Sequence, residues 1–251
     1  MKALITGASS GIGRDIAQEL SKRGYELVLV ARNVDRLNEV KEKLKTKVEI
    51  ESMDVSKIEN CQELFNKHKD IDILVNNAGF GDCGDFTKTS LDKEISMINT
   101  NIVAYHVLTK LYLQEMVKKN SGKILNVASI AGFLPGPLMA TYYATKAYIV
   151  RLSESLREEL RKKKSKVQIS ILCPGPVNTN FNKVAEVQFA LKGLSSEYVA
   201  KYTIKKLFKG KFYIVPGAKI RFTRFLVKVT PSNIVSHFAY NMQKRKIQWN
   251  F

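Results

Sequence analysis

Thr6-Gly7-Ala8-Ser9-Ser10-Gly11-Ile12-Gly13 stands between a short apolar run, Lys2-Ala3-Leu4-Ile5, and a segment in which Ile12, Ile16, Ala17 and Leu20 recur at helical spacing. Strand, glycine turn and helix in that order form the context of a phosphate-binding turn. Glycines permit tight turning and close backbone approach. The helix N-terminus presents free N–H groups and the positive end of its dipole to a pyrophosphate. The spacing is GxxxGxG rather than GxGxxG, so the turn has to be judged with the rest of the chain.

Outward from that turn, strand patterns alternate with helical ones. Strands are predicted at 2–7, 26–32, 47–53, 71–77, 122–128, 167–173 and 212–215, and helices at 11–23, 34–45, 57–68, 91–119, 140–163 and 196–209. Runs such as Leu27-Val28-Leu29-Val30 and Ile73-Leu74-Val75 are apolar nearly throughout, which suits a sheet covered on both faces. Regular β–α alternation implies right-handed crossovers and a doubly wound parallel α/β sheet of about seven strands. There is no repeat, low-complexity stretch or linker, so a single domain over 1–251 is expected. Ligands of such sheets bind outside the carboxyl ends of the strands.

At 251 residues the chain can bury a sizeable core without disulfides. Cys61, Cys83 and Cys173 have no metal-ligand spacing, and a reduced, cytoplasmic protein without a metal is expected. Residues 2–7 read as a strand rather than a signal peptide, and no apolar run approaches the ~20 residues of a membrane span. The net charge of +18 favours anionic partners, although a lysine-rich composition explains it equally well. The charge is uneven: after Glu197 there is no acidic residue, while twelve Lys or Arg follow. Without a basic–aromatic RNA-binding motif, helix-turn-helix or zinc pattern, nucleic acid is not an expected partner.

Further segments fall at strand ends. They are Asn76-Asn77-Ala78-Gly79, Asn126-Val127-Ala128-Ser129, then Tyr142-Tyr143-Ala144-Thr145-Lys146 at a helix start, and Cys173-Pro174-Gly175-Pro176-Val177-Asn178-Thr179. Together with the glycine turn, these five motifs resemble the classical short-chain dehydrogenase/reductase family over about residues 2–217. The resemblance implies a Rossmann-like fold, a nicotinamide cofactor, and an oxidoreductase that interconverts a carbonyl and an alcohol. It assigns Tyr142 as acid/base and Lys146 as its partner and a ligand of the nicotinamide ribose. Ser129 would hold the substrate oxygen. Gly7, Ser9, Ser10, Gly11, Ile12, Gly13, Asn77, Ala78, Gly79, Pro174, Gly175, Val177 and Thr179 would contact the cofactor. A homo-oligomer is also expected.

Hydride transfer to a carbonyl carbon needs a matched proton transfer at its oxygen. A free tyrosine, with a pKa near 10, is a poor acid/base at neutral pH. A lysine one helical turn away shares its face, and its charge is expected to lower that pKa. Tyr143 also lies within reach of Lys146, so spacing alone leaves both tyrosines open, and the family pattern selects Tyr142. Asn99 and Asn101 both suit the asparagine that the family places in the following long helix. The apolar residue after it and Thr109 eight positions later favour Asn101, whose implied role is to hold a proton-relaying water. A buried amide satisfied by backbone is the alternative.

The second strand ends Ala31-Arg32-Asn33, with no acid where an NAD-binding chain carries one. Arg32 can pair with a 2′-phosphate, which resembles the NADP-preferring members, and NADP(H) is the expected cofactor. Asp54 and Val55 resemble the adenine contact, although Asp54 can equally cap the next helix. Segment 180–195 would cover the substrate, with Phe181, Val184, Val187, Phe189 and Leu191 lining a pocket for a small apolar carbonyl or alcohol. A cofactor-binding sensor without catalysis is the competing reading, but it would be expected to lack Tyr142, Lys146 or Ser129, and all are present.

Residues 218–251 form a basic amphipathic extension of the same domain. Phe222, Phe225, Leu226 and Val229 make one helical stripe, and Ile234, Val235, Phe238 and Met242 a second, after Pro231 and before Lys244-Arg245-Lys246. Two helices over 219–243 are predicted, with Phe222, Phe225, Leu226, Ile234 and Phe238 packed inward on the domain. Basic faces with aromatic stripes also suit an anionic membrane surface, which makes a peripheral membrane reductase of lipid-like carbonyls the alternative.

Overall fold

The computed structural model describes residues 1–179, 181 and 193–247, with 245–247 by backbone only. The elements run β1 (Lys2–Thr6), α1 (Gly11–Ser21), β2 (Glu26–Ala31), α2 (Val34–Lys41), β3 (Val48–Ser52), α3 (Ile58–Lys67) and β4 (Ile73–Asn76). They continue with α4 (Leu91–Ile98), a π turn (Asn99–Val103), α5 (Ala104–Lys119), β5 (Lys123–Val127), a 3₁₀ turn (Ile130–Phe133), α6 (Ala140–Lys162) and β6 (Gln168–Leu172). The last are β7 (Val177–Asn178), β8 (Leu194–Ser195), α7 (Ser196–Leu207), β9 (Tyr213–Ile214), α8 (Ala218–Val229) and α9 (Ser232–Ile247).

Seven strands form one parallel sheet in the order β3-β2-β1-β4-β5-β6-β9. The chain winds one way from β1 to β3 and the other way from β4 to β9, so the order reverses between β1 and β4. A crevice opens at the carboxyl ends of the strands at such a reversal. Alternation along each strand divides the core. Leu4, Val28, Leu74, Ile124 and Ile169 face one layer with residues of α3, α5 and α6. Ile5, Leu29, Val75, Leu125 and Leu172 face the other with residues of α1, α2 and α7. The sheet centre also carries a buried polar chain. Asn76 Nδ2 donates to Asn126 Oδ1 and Thr109 Oγ1, and Asn126 Nδ2 donates to Ser153 Oγ.

Three expectations need correction. The helix predicted over 91–119 is interrupted at Asn99–Val103, where the wider turn carries Asn101 into the interior. Its amide is held there by the Phe80 backbone and Thr145. The helix predicted over 34–45 stops at Lys41.

The third concerns the tail. Its two helices are present, but Phe222, Phe225, Leu226, Ile234 and Phe238 face outward and are exposed. The inner positions are Ile220, Arg224 and Val227 in α8 and Val235, Ala239 and Gln243 in α9. Arg224 decides the rotation of α8. Its guanidinium lies 3.6 Å from the Tyr213 ring centroid and 4.8 Å from that of Phe133, a stacked cation that the apolar stripe cannot replace. Ile220 fits against Gly175, where a Cβ would meet Ile220 Cδ1 at 2.4 Å.

Candidate active site

The turn after β1 takes its shape from its glycines. Gly7 and Gly11 have φ of +65° and +53°, a region costly for other residues. A Cβ on Gly13 would lie 2.4 Å from Gly7 O, so α1 starts directly against the turn. The N-terminus of α1 carries no side-chain cap. Asn77 Nδ2 donates to Thr6 O and Gly7 O, and Thr6 Oγ1 accepts from Asn77 N and Ala78 N. The two predicted motifs therefore hold each other. Thr6 was not singled out in the sequence, because its role requires a strand partner distant in the chain.

One cavity of about 760 Å³ runs from this turn across the sheet edge. Gly7, Ser9, Ser10, Gly11, Ile12, Arg32, Asp54, Val55, Asn77, Ala78, Gly79, Ser129, Tyr142, Lys146, Pro174, Gly175, Val177 and Thr179 all line it. Gly13 supports the turn from behind, and Asn101 is buried behind Gly79. Arg32 is largely exposed, with Nη1 4.0 Å from Asp54 Oδ2. Asp54 Oδ1 accepts from Ser56 N, so the carboxylate both shapes its turn and lines the cavity. Arg36, brought alongside by the Asn33-capped start of α2, is a second cation there that sequence reasoning missed. Its position, one helical turn beyond Arg32, was the available signal.

The adjacent tyrosines separate. Ser129 hydrogen-bonds the Tyr142 phenol, whereas Tyr143 Oη accepts from Gln243 Nε2 of α9 at 2.5 Å. Lys146 is buried, donates to Val127 O at 3.1 Å, and lies 5.8 Å from the Tyr142 ring centroid. The expected lowering of the Tyr142 pKa by Lys146 is not found. Burial pushes the phenol well above the ordinary tyrosine range, and the Ser129 bond opposes this only in part. Burial also lowers Lys146 to about 8. Tyr142 is thus a neutral phenol at neutral pH, the form able to donate a proton.

The Asn101 amide is held by Phe80 N and O and by Thr145 Oγ1. A Cβ on Gly79 would lie 2.8 Å from Asn101 Oδ1 and 3.5 Å from Lys146 Nζ, so only a glycine passes between them.

The remaining wall is largely apolar, with Ser96, Thr100, Tyr143 and Thr223 as its polar members. Met139, Leu134, Phe181, Ile220 and Met242 line it, and the Phe181 ring packs on Tyr142 with centroids 5.3 Å apart. Ile220, Thr223 and Met242 come from the tail helices, which pack beside the cleft with other residues facing it than the apolar stripe predicts. Of the covering segment, only Phe181 and Gly193 to Ser195 are described. Val184, Val187, Phe189 and Leu191 lie outside the described residues. Among the described residues, no group of His, Cys, Asp or Glu could hold a metal ion, and no helix is long and apolar enough to cross a membrane.

Residues 1–188 match the family model for short chain dehydrogenases. The chain is 34% identical over 250 residues to the human very-long-chain 3-oxoacyl-CoA reductase, covering 94% of this chain and 74% of that protein. Among solved structures, it resembles a short-chain dehydrogenase from Sphingobium yanoikuyae in complex with NADPH (26% identity, TM-score 0.81, 92% of this chain and 96% of that one). It also resembles a short chain dehydrogenase/reductase from Burkholderia phymatum in complex with NAD (27% identity, TM-score 0.82, 90% and 92%).

Proposed function

The chain belongs to the short-chain dehydrogenase family, and on that premise we propose that it reduces an apolar carbonyl with NADPH. It is an oxidoreductase that interconverts carbonyl and alcohol with a nicotinamide cofactor. The observation that carries the finer reading is the convergence of Ser129, Tyr142 and Lys146 on the cavity that the glycine turn opens.

The residues present fit the dinucleotide. Gly7, Gly11 and Gly13 let the turn close on Asn77, Thr179 and its own backbone where a Cβ would clash, and the uncapped start of α1 offers N–H groups to the pyrophosphate. Arg32 and Arg36 stand at the far end, where a 2′-phosphate would be paired. The neighbouring carboxylate, Asp54, accepts from the Ser56 backbone through Oδ1 and lies 4.0 Å from Arg32 through Oδ2, so a 2′-phosphate would take Arg32 over from it. When bound, the cofactor supplies the hydride to the carbonyl carbon.

The chain supplies the rest. Ser129 donates a hydrogen bond to the carbonyl oxygen and holds it beside Tyr142. The phenol gives its proton to that oxygen, the product is the alcohol, and solvent returns the proton. Lys146 fixes the ribose end and provides positive charge behind the phenolate as it forms. Asn101 acts as a positioning residue that holds the Gly79–Phe80 backbone against Lys146. The apolar wall suits a hydrocarbon-rich substrate, and the human relative's name makes long acyl carbonyls the first class to try.

Loss of NADPH absorbance with a panel of apolar ketones, aldehydes and acyl carbonyls tests this. Steady-state turnover is expected. Tight NADPH binding without turnover across the panel overturns the reading in favour of a sensor.

A further inference from the structure

We propose that the outer faces of α8 and α9 dock on an anionic lipid bilayer and set the mouth of the cleft at its surface, so that the substrate enters from the lipid. The entry route rests on the reductase reading; the docking does not.

Phe222, Phe225 and Val229 are 62%, 61% and 65% exposed, and Phe238 is 69% exposed, with Leu226 and Ile234 also in the open. Monomeric proteins seldom leave such apolar rows uncovered unless they bind something. At about 100° per residue, the α8 row is flanked by Lys219 on one side and by Arg221 and Lys228 on the other. Lys244 lies beside the α9 row. No acidic residue follows Glu197 anywhere in the chain. The Lys and Arg side chains beside these rows face no acidic residue of the tail, so the surface is complementary to an anionic bilayer, whose acyl region takes the rings while its headgroups take the charges. A second copy of this surface would instead bring cations against cations.

The placement gives this surface a use. Met242 belongs to both the exposed row and the cavity lining, and Thr223, next to Phe222, lines the same cavity. The apolar face of α9 therefore runs into the rim of the cleft without a polar break at that point. No described helix is long and apolar enough to cross a membrane, and the proposed contact is made by the outer faces of α8 and α9.

Flotation of the full chain with vesicles tests the proposal, using phosphatidylcholine alone or with about one-third phosphatidylserine. At least tenfold stronger binding to the anionic vesicles is expected at low salt, and it should be lost at about 1 M salt, where the Debye length is about 3 Å. The double variant Phe225→Glu, Phe238→Glu alters exposed positions outside the cavity lining. It should bind at least tenfold more weakly while its turnover of a water-soluble ketone is unchanged. Equal binding to neutral vesicles, or flotation of the variant like the parent, overturns the proposal. So does a dimer that the variant splits while neither form floats, which would assign the face to a second copy. Flotation is read without turnover, so a chain that floats but oxidises no NADPH supports the docking and overturns only the reductase reading.

Discussion

Tyr142 and Tyr143 are adjacent in the chain but have different partners: Ser129 holds the first and Gln243 the second. Tyr142→Phe should therefore lower kcat by roughly 10²–10⁴, the usual worth of a general acid, and leave the NADPH Kd within about twofold. Tyr143→Phe should keep most of the turnover. Stopped-flow turnover and fluorescence titration read the two effects, and a dead Tyr143 variant would reverse the roles. Lys146 gives a pH dependence with a definite sign. Burial lowers its ammonium to about 8, so the charge is present below that pH and lost above it. In a pH profile, kcat/KM for NADPH should fall as pH rises through about 8; a flat profile to pH 10 would exclude this assignment. At the other end of the cleft, Arg32→Ala should narrow the preference for NADPH over NADH by about ten- to a hundredfold, the worth of one charge-assisted hydrogen bond. Comparison of the two Kd values checks this, and an unchanged ratio would transfer the role to Arg36.

Elements with a local cause were legible in the sequence. The seven strands of the main sheet could be read from apolar runs, α1 from its glycine turn, and the start of α9 from Pro231, whereas the short pair β7–β8 was not read. That a tyrosine and Lys146 share one helix face was also legible, whereas the choice of Tyr142 over Tyr143 came from the family pattern and not from spacing. Features set by distant partners were not legible. The π turn at Asn99–Val103 is tied to Phe80 and Thr145, and neither spacing nor propensity within 91–119 signals it. The rotation of α8 is set by rings on Phe133 and Tyr213, which outcompete a stripe that looks like a core face from within the helix. The glycine turn lends itself to an element-scale test. Gly13→Val would drive a side chain into Gly7 O, a backbone atom unable to yield without moving α1. A loss of about 1–3 kcal/mol in stability and at least tenfold weaker NADPH binding is expected, read by chemical denaturation and titration. Unchanged values would show that α1 can shift freely.

Over the whole molecule, a net charge of +18 opposes the compact state through self-repulsion. Raising salt from about 0.01 to 0.15 M shortens the Debye length from about 30 to 8 Å and should raise Tm by a few degrees; a falling Tm would contradict this. The cofactor half of the cleft, by contrast, takes its lining from residues up to Thr179, with Ile220 of the tail packed against Gly175. The bond between Tyr143 and Gln243 joins positions 100 residues apart, and with Met242 it completes the substrate wall. Synthesis at about 5–20 residues per second separates the two by roughly 5–20 seconds. During that interval a nascent chain can hold its dinucleotide turn while its substrate side stands open to solvent. The last cofactor-lining residue, Thr179, is thus made before the last of the substrate wall, and a chain ending before Met242 carries every residue of the first group and lacks part of the second.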